Sequence, residues 1–227
     1  MIRLLLPLAA AFALTACGES PPANPATAPN EAAPAANNAA PAPAPVPATV
    51  KVRLETDQGN IVLQLDGRHA PITTANFLAY VDQHRFDGIT FYRASRTPRT
   101  PGQGFIQGGI RRNPMLALPP IEHEPTSRTG LHHVDGAISM ARLEPGSAMG
   151  DFVILSGAEP SMDAGHRRPS SGNNDTQGYA VFGRVVEGMD VVRHILAAPT
   201  VANAGAGAMR GQMLTQPVRI VRAVRAG

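Results

Sequence analysis

The sequence predicts a mainly β protein, a closed eight-stranded antiparallel barrel with two helices. Three observations carry this expectation. Residues 50–227 contain about eight short segments rich in β-branched and aromatic residues, two of them with clean period-2 alternation. Only two stretches repeat apolar residues at helical spacing. The strand segments follow one another with few helices between them, which favours a closed antiparallel barrel over a parallel α/β sheet.

Taken in order, "VKVRLET" places Val50, Val52 and Leu54 on one face, and "NIVLQLD" does the same with Ile61, Leu63 and Leu65. The short turn at Asp57-Gln58-Gly59 joins them as a hairpin. A helix follows in "PITTANFLAYVDQHRF": Pro71 suits its first turn, Thr73 or Thr74 can cap it, and Phe77, Leu78 and Val81 share a side. Further strands are "ITFYRA", "FIQGG", "GAISMAR", "DFVILS", "YAVFGRVV" and "PVRIVRAV". The second helix, "MDVVRHILA", precedes the last of these, with Val191, Val192, Ile195 and Leu196 on one side.

The chain ahead of this domain has a different character. Residues 1–16, "MIRLLLPLAAAFALTA", carry one positive charge and then an apolar run too short to span a bilayer comfortably, which reads as an export signal. Leu14-Thr15-Ala16-Cys17 resembles the lipobox of bacterial lipoproteins, and that resemblance implies lipidation of Cys17. Cys17 is the sole cysteine, so it can form no disulfide within the chain. Gly18 is not the aspartate that resembles an inner-membrane retention signal, so the expected location is the periplasmic side of the outer membrane. Residues 17–49 are expected to be the lipidated cysteine and a disordered tether, since proline and alanine leave few large apolar groups to offset the entropy of ordering.

The formal net charge is +3, and nineteen of the twenty basic residues fall within 50–227. They are scattered singly apart from Arg111-Arg112 and Arg167-Arg168, without aromatic interleaving or a basic helix, which argues against nucleic-acid binding. No G-x-S-x-G, glycine-rich phosphate loop or reactive cysteine marks the domain. His123, His132 and His133, near Glu122 and Glu124, match no standard metal-ligand spacing. Adjacent histidines on a strand would point to opposite faces. A solvated loop is the reading they support, with no metal.

The ordered series F-x-R at Phe91–Arg93, Q-G-G at Gln107–Gly109, G-x-I-S-M-A at Gly136–Ala141, F-x-I at Phe152–Ile154 and F-G-x-V-x-x-G-M-x-V from Phe182 resembles the cyclophilin-type peptidyl-prolyl cis-trans isomerases. The likeness covers essentially the whole domain. It implies that Arg93 is catalytic and that Gln107 orients it. It also implies a proline pocket formed by Phe105, Met140, Ala141, Arg142, Asp151, Phe152, Val153 and Tyr179. Taken alone on a strand, Arg93 reads as a surface arginine paired with a carboxylate; the motifs around it turn the reading toward function. Phe152 and Met140 fit a core role equally well. The implied enzyme needs no cofactor, works as a monomer, and acts on proline-containing unfolded or flexible polypeptides.

Four departures from the family pattern bear on activity. Val153 stands where the pocket usually has phenylalanine, Asp151 where glutamine is common, and Tyr179 where histidine is common. The loop between Arg93 and Gln107 is long and holds Pro98 and Pro101, which puts the reach of Phe105 in question. A shallower slot predicts low or substrate-selective turnover and keeps open a proline-peptide binding module with little turnover. The polar stretch 157–178 replaces a pocket edge and reads as a loop for partner contacts or a mobile one.

Overall fold

The computed structural model describes residues 46–166 and 176–227. The expected export signal (residues 1–16), Cys17 and residues 18–45 lie outside them, as does part of the 157–178 loop. Among the described residues nine strands form a single sheet: β1 (Thr49–Thr56), β2 (Gly59–Asp66), β3 (Thr90–Arg96), β4 (Gly104–Gly109), β5 (Ala137–Met140), β6 (Asp151–Ser156), β7 (Val181–Glu187), β8 (Thr200–Val201) and β9 (Met213–Ala226). Their order is β1-β2-β7-β5-β6-β4-β3-β9-β8, and β1 also pairs with β9. That last pairing closes eight strands into a barrel and leaves the two-residue β8 on the flank of β9. Closure removes the open edges that would otherwise template pairing with other chains.

Among the described residues three α-helices accompany the barrel: α1 (Pro71–Asp82), the one-turn α2 (Thr126–Thr129) and α3 (Met189–Ala197). The expectation of two is met by α1 and α3, and α2 is too short to leave a helical period in the sequence. Along the strands, alternate residues point inward: Val52, Leu54, Ile61, Leu63, Leu65, Ile106, Ile138 and Ile154 are all buried in one core. α1 adds Phe77 and Tyr80 to that core, and α3 adds Val192, Ile195 and Leu196. Phe77 lies 5.2 Å from Phe182 and 5.3 Å from Phe152, ring centre to ring centre.

Neither Thr73 nor Thr74 caps α1. The residue before it is Ala70, which has no side-chain cap. Glu124, 1% exposed, takes the role from a distant loop, accepting hydrogen bonds from Ile72 N (3.2 Å), Thr73 N (2.7 Å) and Thr73 Oγ1 (2.6 Å). A carboxylate there satisfies orphan N–H groups and complements the positive end of the helix dipole. Glu124 is therefore buried structure, not part of a solvated loop.

The folded region starts before Val50. Val46 packs against the core, Thr49 pairs with Asp66, and Arg68 N donates to Ala48 O at 3.2 Å. Gly67 permits this approach, because a Cβ there would lie 2.3 Å from Pro47 O.

Candidate active site

The register of the barrel lines up one row of residues across its outer face. Met213 on β9 lies opposite Arg93 on β3, Arg93 opposite Gln107 on β4, and Gln107 opposite Val153 on β6. The row continues from Val153 to Ser139 on β5 and to Val181 on β7. Residues paired in this way share a face. Arg93 and Gln107, fourteen positions apart in sequence, are thus neighbours by strand pairing alone.

The Arg93 guanidinium is held at two points. Its NH1 donates to Gln107 Oε1 at 2.8 Å, and its Nε donates to Gln212 Oε1 at 2.8 Å. Its carbon stands 5.1 Å from the centre of the Phe105 ring. The loop with Pro98 and Pro101 does not draw Phe105 away. That loop closes on itself through Thr97 N to Gln103 O (2.9 Å) and is tied to β6 by Ser156 Oγ to Gly102 O (2.7 Å).

Beside the guanidinium lies a small apolar cluster separate from the barrel core. Val153, Leu155 and Met162 form its buried floor, and Phe105 and Tyr179 pack on it half-buried. Leu155 and Met162 are additions to the expected set. Leu155 was within reach of the sequence, being two residues after Val153 on a strand, whereas Met162 ends a three-residue 3-10 turn (Pro160–Met162) too short to leave a periodic signal. Tyr179 N donates to Met162 O at 3.0 Å, which joins floor and wall.

Two expected pocket residues are elsewhere. Phe152 and Met140 alternate with Val153 and Ser139, so they point into the barrel, and they are 0% and 1% exposed. Phe152 meets Phe77, Phe86 and Phe91 at 5.3, 5.5 and 5.8 Å. Both belong to the core, and the pocket assignment for them is corrected. Ala141 N donates to Asp151 O at 2.9 Å. Arg142 stacks 5.2 Å over Tyr179 while its Nε and NH2 donate to Gly178 O.

Asp151 braces the edge of the site. Its Oδ1 accepts from Tyr92 OH and from Arg111 N, each at 3.0 Å. Arg111 and Arg112 both have positive φ, 50° and 57°, a conformation bulky residues seldom adopt without such a hold. Gly109 opposite has no alternative, since a Cβ there would lie 2.5 Å from Asp151 Cα. Burial raises the pKa of Asp151 despite these hydrogen bonds. Burial and the neighbouring Asp151 charge push the Tyr92 hydroxyl up as well.

A carboxyl whose folded pKa lies above its unfolded value favours the fold most when protonated, and that stability is lost as pH rises through the folded pKa. Asp151→Asn keeps an acceptor oxygen for Tyr92 without the buried charge. We expect its Tm to exceed that of the wild type at pH 7, with the advantage vanishing near the pKa of an exposed aspartate, about 3.9. A Tm deficit at pH 7 that disappears in acid, where Asp151 is itself neutral, would show that the charge is what holds the Arg111-Arg112 turn.

The histidines do not form a solvated cluster. His133 is 1% exposed, with Nδ1 2.5 Å from Asp163 Oδ1 and Nε2 3.0 Å from Ser139 Oγ. His132 Nδ1 lies 2.9 Å from the other oxygen of Asp163. Strand alternation does not separate the two histidines, because they sit on a loop. Burial alone would raise the Asp163 pKa, but hydrogen bonds from His133 and His132 hold it below the usual range. The Ser139–His133–Asp163 line has the composition of a hydrolase triad, yet Ser139 is fully buried and donates its proton to Ala180 O at 3.1 Å. It acts as a strut that fixes Asp163, and with it the adjoining Met162. Among the described residues no three His, Cys, Asp or Glu side chains gather as a metal site.

A closed barrel carrying an arginine clamped by carboxamides beside an apolar floor defines a non-covalent site: it offers fixed hydrogen-bond donors and a hydrophobic seat. The chain belongs to the cyclophilin-type peptidyl-prolyl cis-trans isomerases, whose family model (cyclophilin type peptidyl-prolyl cis-trans isomerase/CLD) matches residues 51–225. It is 36% identical over 155 residues to a peptidyl-prolyl cis-trans isomerase of Streptomyces antibioticus, covering 68% of this chain and 87% of that protein. To one of Acinetobacter baylyi it is 32% identical over 175 residues, covering 77% and 84%. A cyclophilin-type isomerase of Cryptosporidium parvum, solved in the presence of the dipeptide Ala-Pro, superposes with a TM-score of 0.60 at 18% identity, over 78% of this chain and 99% of that one. The protein is a peptidyl-prolyl cis-trans isomerase.

Proposed function

We propose that this isomerase is a lipid-anchored enzyme of the cell envelope that acts on X-Pro bonds of exported polypeptides, with Arg93 as its catalytic residue. The observation that carries the assignment is the Arg93 guanidinium, held 2.8 Å from Gln107 Oε1 and stacked on Phe105 beside the Val153, Leu155 and Met162 floor. The floor seats the proline ring, and Tyr179 and Phe105 bound it.

Conjugation gives the prolyl C–N bond partial double-bond character and a rotational barrier of about 18–20 kcal/mol. Twisting the bond localises a lone pair on a pyramidal nitrogen. A donor aimed at that lone pair stabilises the twisted form more than the planar one, which is what lowers a barrier. Guanidinium suits this task, because it stays charged at any working pH and carries its N–H groups in a rigid plane. No proton is transferred and no covalent bond forms. Gln107 Oε1 accepts a hydrogen bond from Arg93 NH1 and so orients the remaining N–H groups, while residues 141–142 border the path of the substrate backbone.

Isomerisation of an Ala-Pro test peptide by the purified protein, followed by exchange NMR, checks the activity. Exchange no faster than in buffer would overturn this reading and leave a proline-peptide binder. Anchoring rests on Leu14-Thr15-Ala16-Cys17 and the lack of any other cysteine. Cells supplied with labelled palmitate should mark the wild type but not Cys17→Ser, which should leave the membrane fraction because acyl chains supply the anchor. An unlabelled wild type would remove the lipid and leave the isomerase assignment untouched. The same reading makes the protein a periplasmic monomer, held at the outer membrane.

A further inference from the structure

We infer that Gln212 is a second positioning residue of the isomerase site, one that sets the plane of the Arg93 guanidinium from the strand opposite Gln107. The inference rests on the assignment of Arg93 made above. In the sheet β3 has two neighbours, β4 and β9. Gln107 reaches the guanidinium from β4, and Gln212, immediately before β9, reaches it from the other side. The two contacts are equal in length at 2.8 Å and fall on different nitrogens, Nε and NH1.

Two fixed points on one planar group leave it little freedom of rotation. An unrestrained arginine samples many rotamers and would present its donors over a spread of directions. A single acceptor on NH1 still lets the plane swing about that contact; an acceptor on Nε stops the swing. Phe105 then limits the face from one side at 5.1 Å.

Gln212 is itself well placed to act as a fixed point. Its carbonyl accepts from Ala94 N at 2.9 Å, so its backbone is bonded to the residue next to Arg93. Its own N–H donates to Met209 O at 3.1 Å. Gly211 N donates to Ala204 O at 2.9 Å, closing the 202–212 loop behind it. This loop thus has a mechanical task in the site, although it lies more than a hundred residues from Arg93 in sequence.

The test uses the mature protein with substitutions at Gln212 and Arg93. Gln212→Met keeps length and removes the acceptor, and we expect kcat on the Ala-Pro peptide to fall about tenfold with KM within about twofold. In an Arg93→Lys background the same change should alter kcat by less than about twofold, since lysine has no Nε–H to hold. The Arg93 Nε–H resonance should be protected from solvent exchange in the wild type, lose protection in Gln212→Met, and regain it in Gln212→Glu, which keeps an acceptor oxygen. Wild-type kcat in Gln212→Met would overturn the proposal. So would an equal loss in the Arg93→Lys background, the mark of a merely structural role. If the wild type turns over no peptide, the isomerase reading fails, and the Nε–H resonance alone decides whether Gln212 holds Arg93.

Discussion

Arg93→Ala is expected to lower kcat/KM for a proline peptide by about 10²–10³, roughly 2.7–4 kcal/mol of transition-state stabilisation, the scale on which loss of one preorganised donor is felt. The fold should survive, because Arg93 projects from the outer face and its partners, Gln107 and Gln212, are carboxamides and not buried charges. Arg93→Lys should recover only part of the loss, since an ammonium cannot engage both glutamines and donate to substrate in one plane. Circular dichroism together with peptide isomerisation decides the matter. A folded Arg93→Ala protein that isomerises as fast as the wild type would place the catalytic donor elsewhere.

Phe152→Ala should act almost wholly on stability. Phe152 is 0% exposed and its ring meets those of Phe77, Phe86 and Phe91. Truncating it removes buried apolar surface and opens a cavity among aromatic rings that cannot collapse to fill it, a loss of about 3–5 kcal/mol. Urea unfolding measures this directly through the midpoint at unchanged slope. A variant of near wild-type stability with a raised KM would return Phe152 to the proline slot. Phe152 and Val153 are adjacent in sequence, so the pair of outcomes also tests which parity of β6 faces the substrate.

Much of the fold was legible because it rests on short-range pattern. Alternation in β1 and β2, the apolar positions of α1 and α3, and the eight principal strand segments follow from local residue preferences. The boundaries were less legible. β9 begins four residues before the predicted "PVRIVRAV" and β7 begins two after the start of "YAVFGRVV". Strand ends are set by what the neighbouring strand offers for pairing, and β9 gains its first residues because β8 and β3 lie alongside.

The site divides in the same way. The chain by itself pointed to Arg93, Gln107 and Val153, which stand in the ordered motif series, and to Phe105 and Tyr179 beside it, and these residues do come together. Only the tertiary structure decided which side of β6 and β5 faces out, and hence that Phe152 and Met140 are core while Leu155 joins the floor. It alone brought in Met162, Gln212, the Glu124 cap of α1, and the His132–His133 hold on Asp163. Each of these depends on a contact between segments distant in sequence, whose energy lies in a distance and an angle that the closed barrel creates. Residue type and spacing encode a local preference for strand or helix, whereas the partner of a buried carboxylate or a clamped guanidinium is chosen by register and closure.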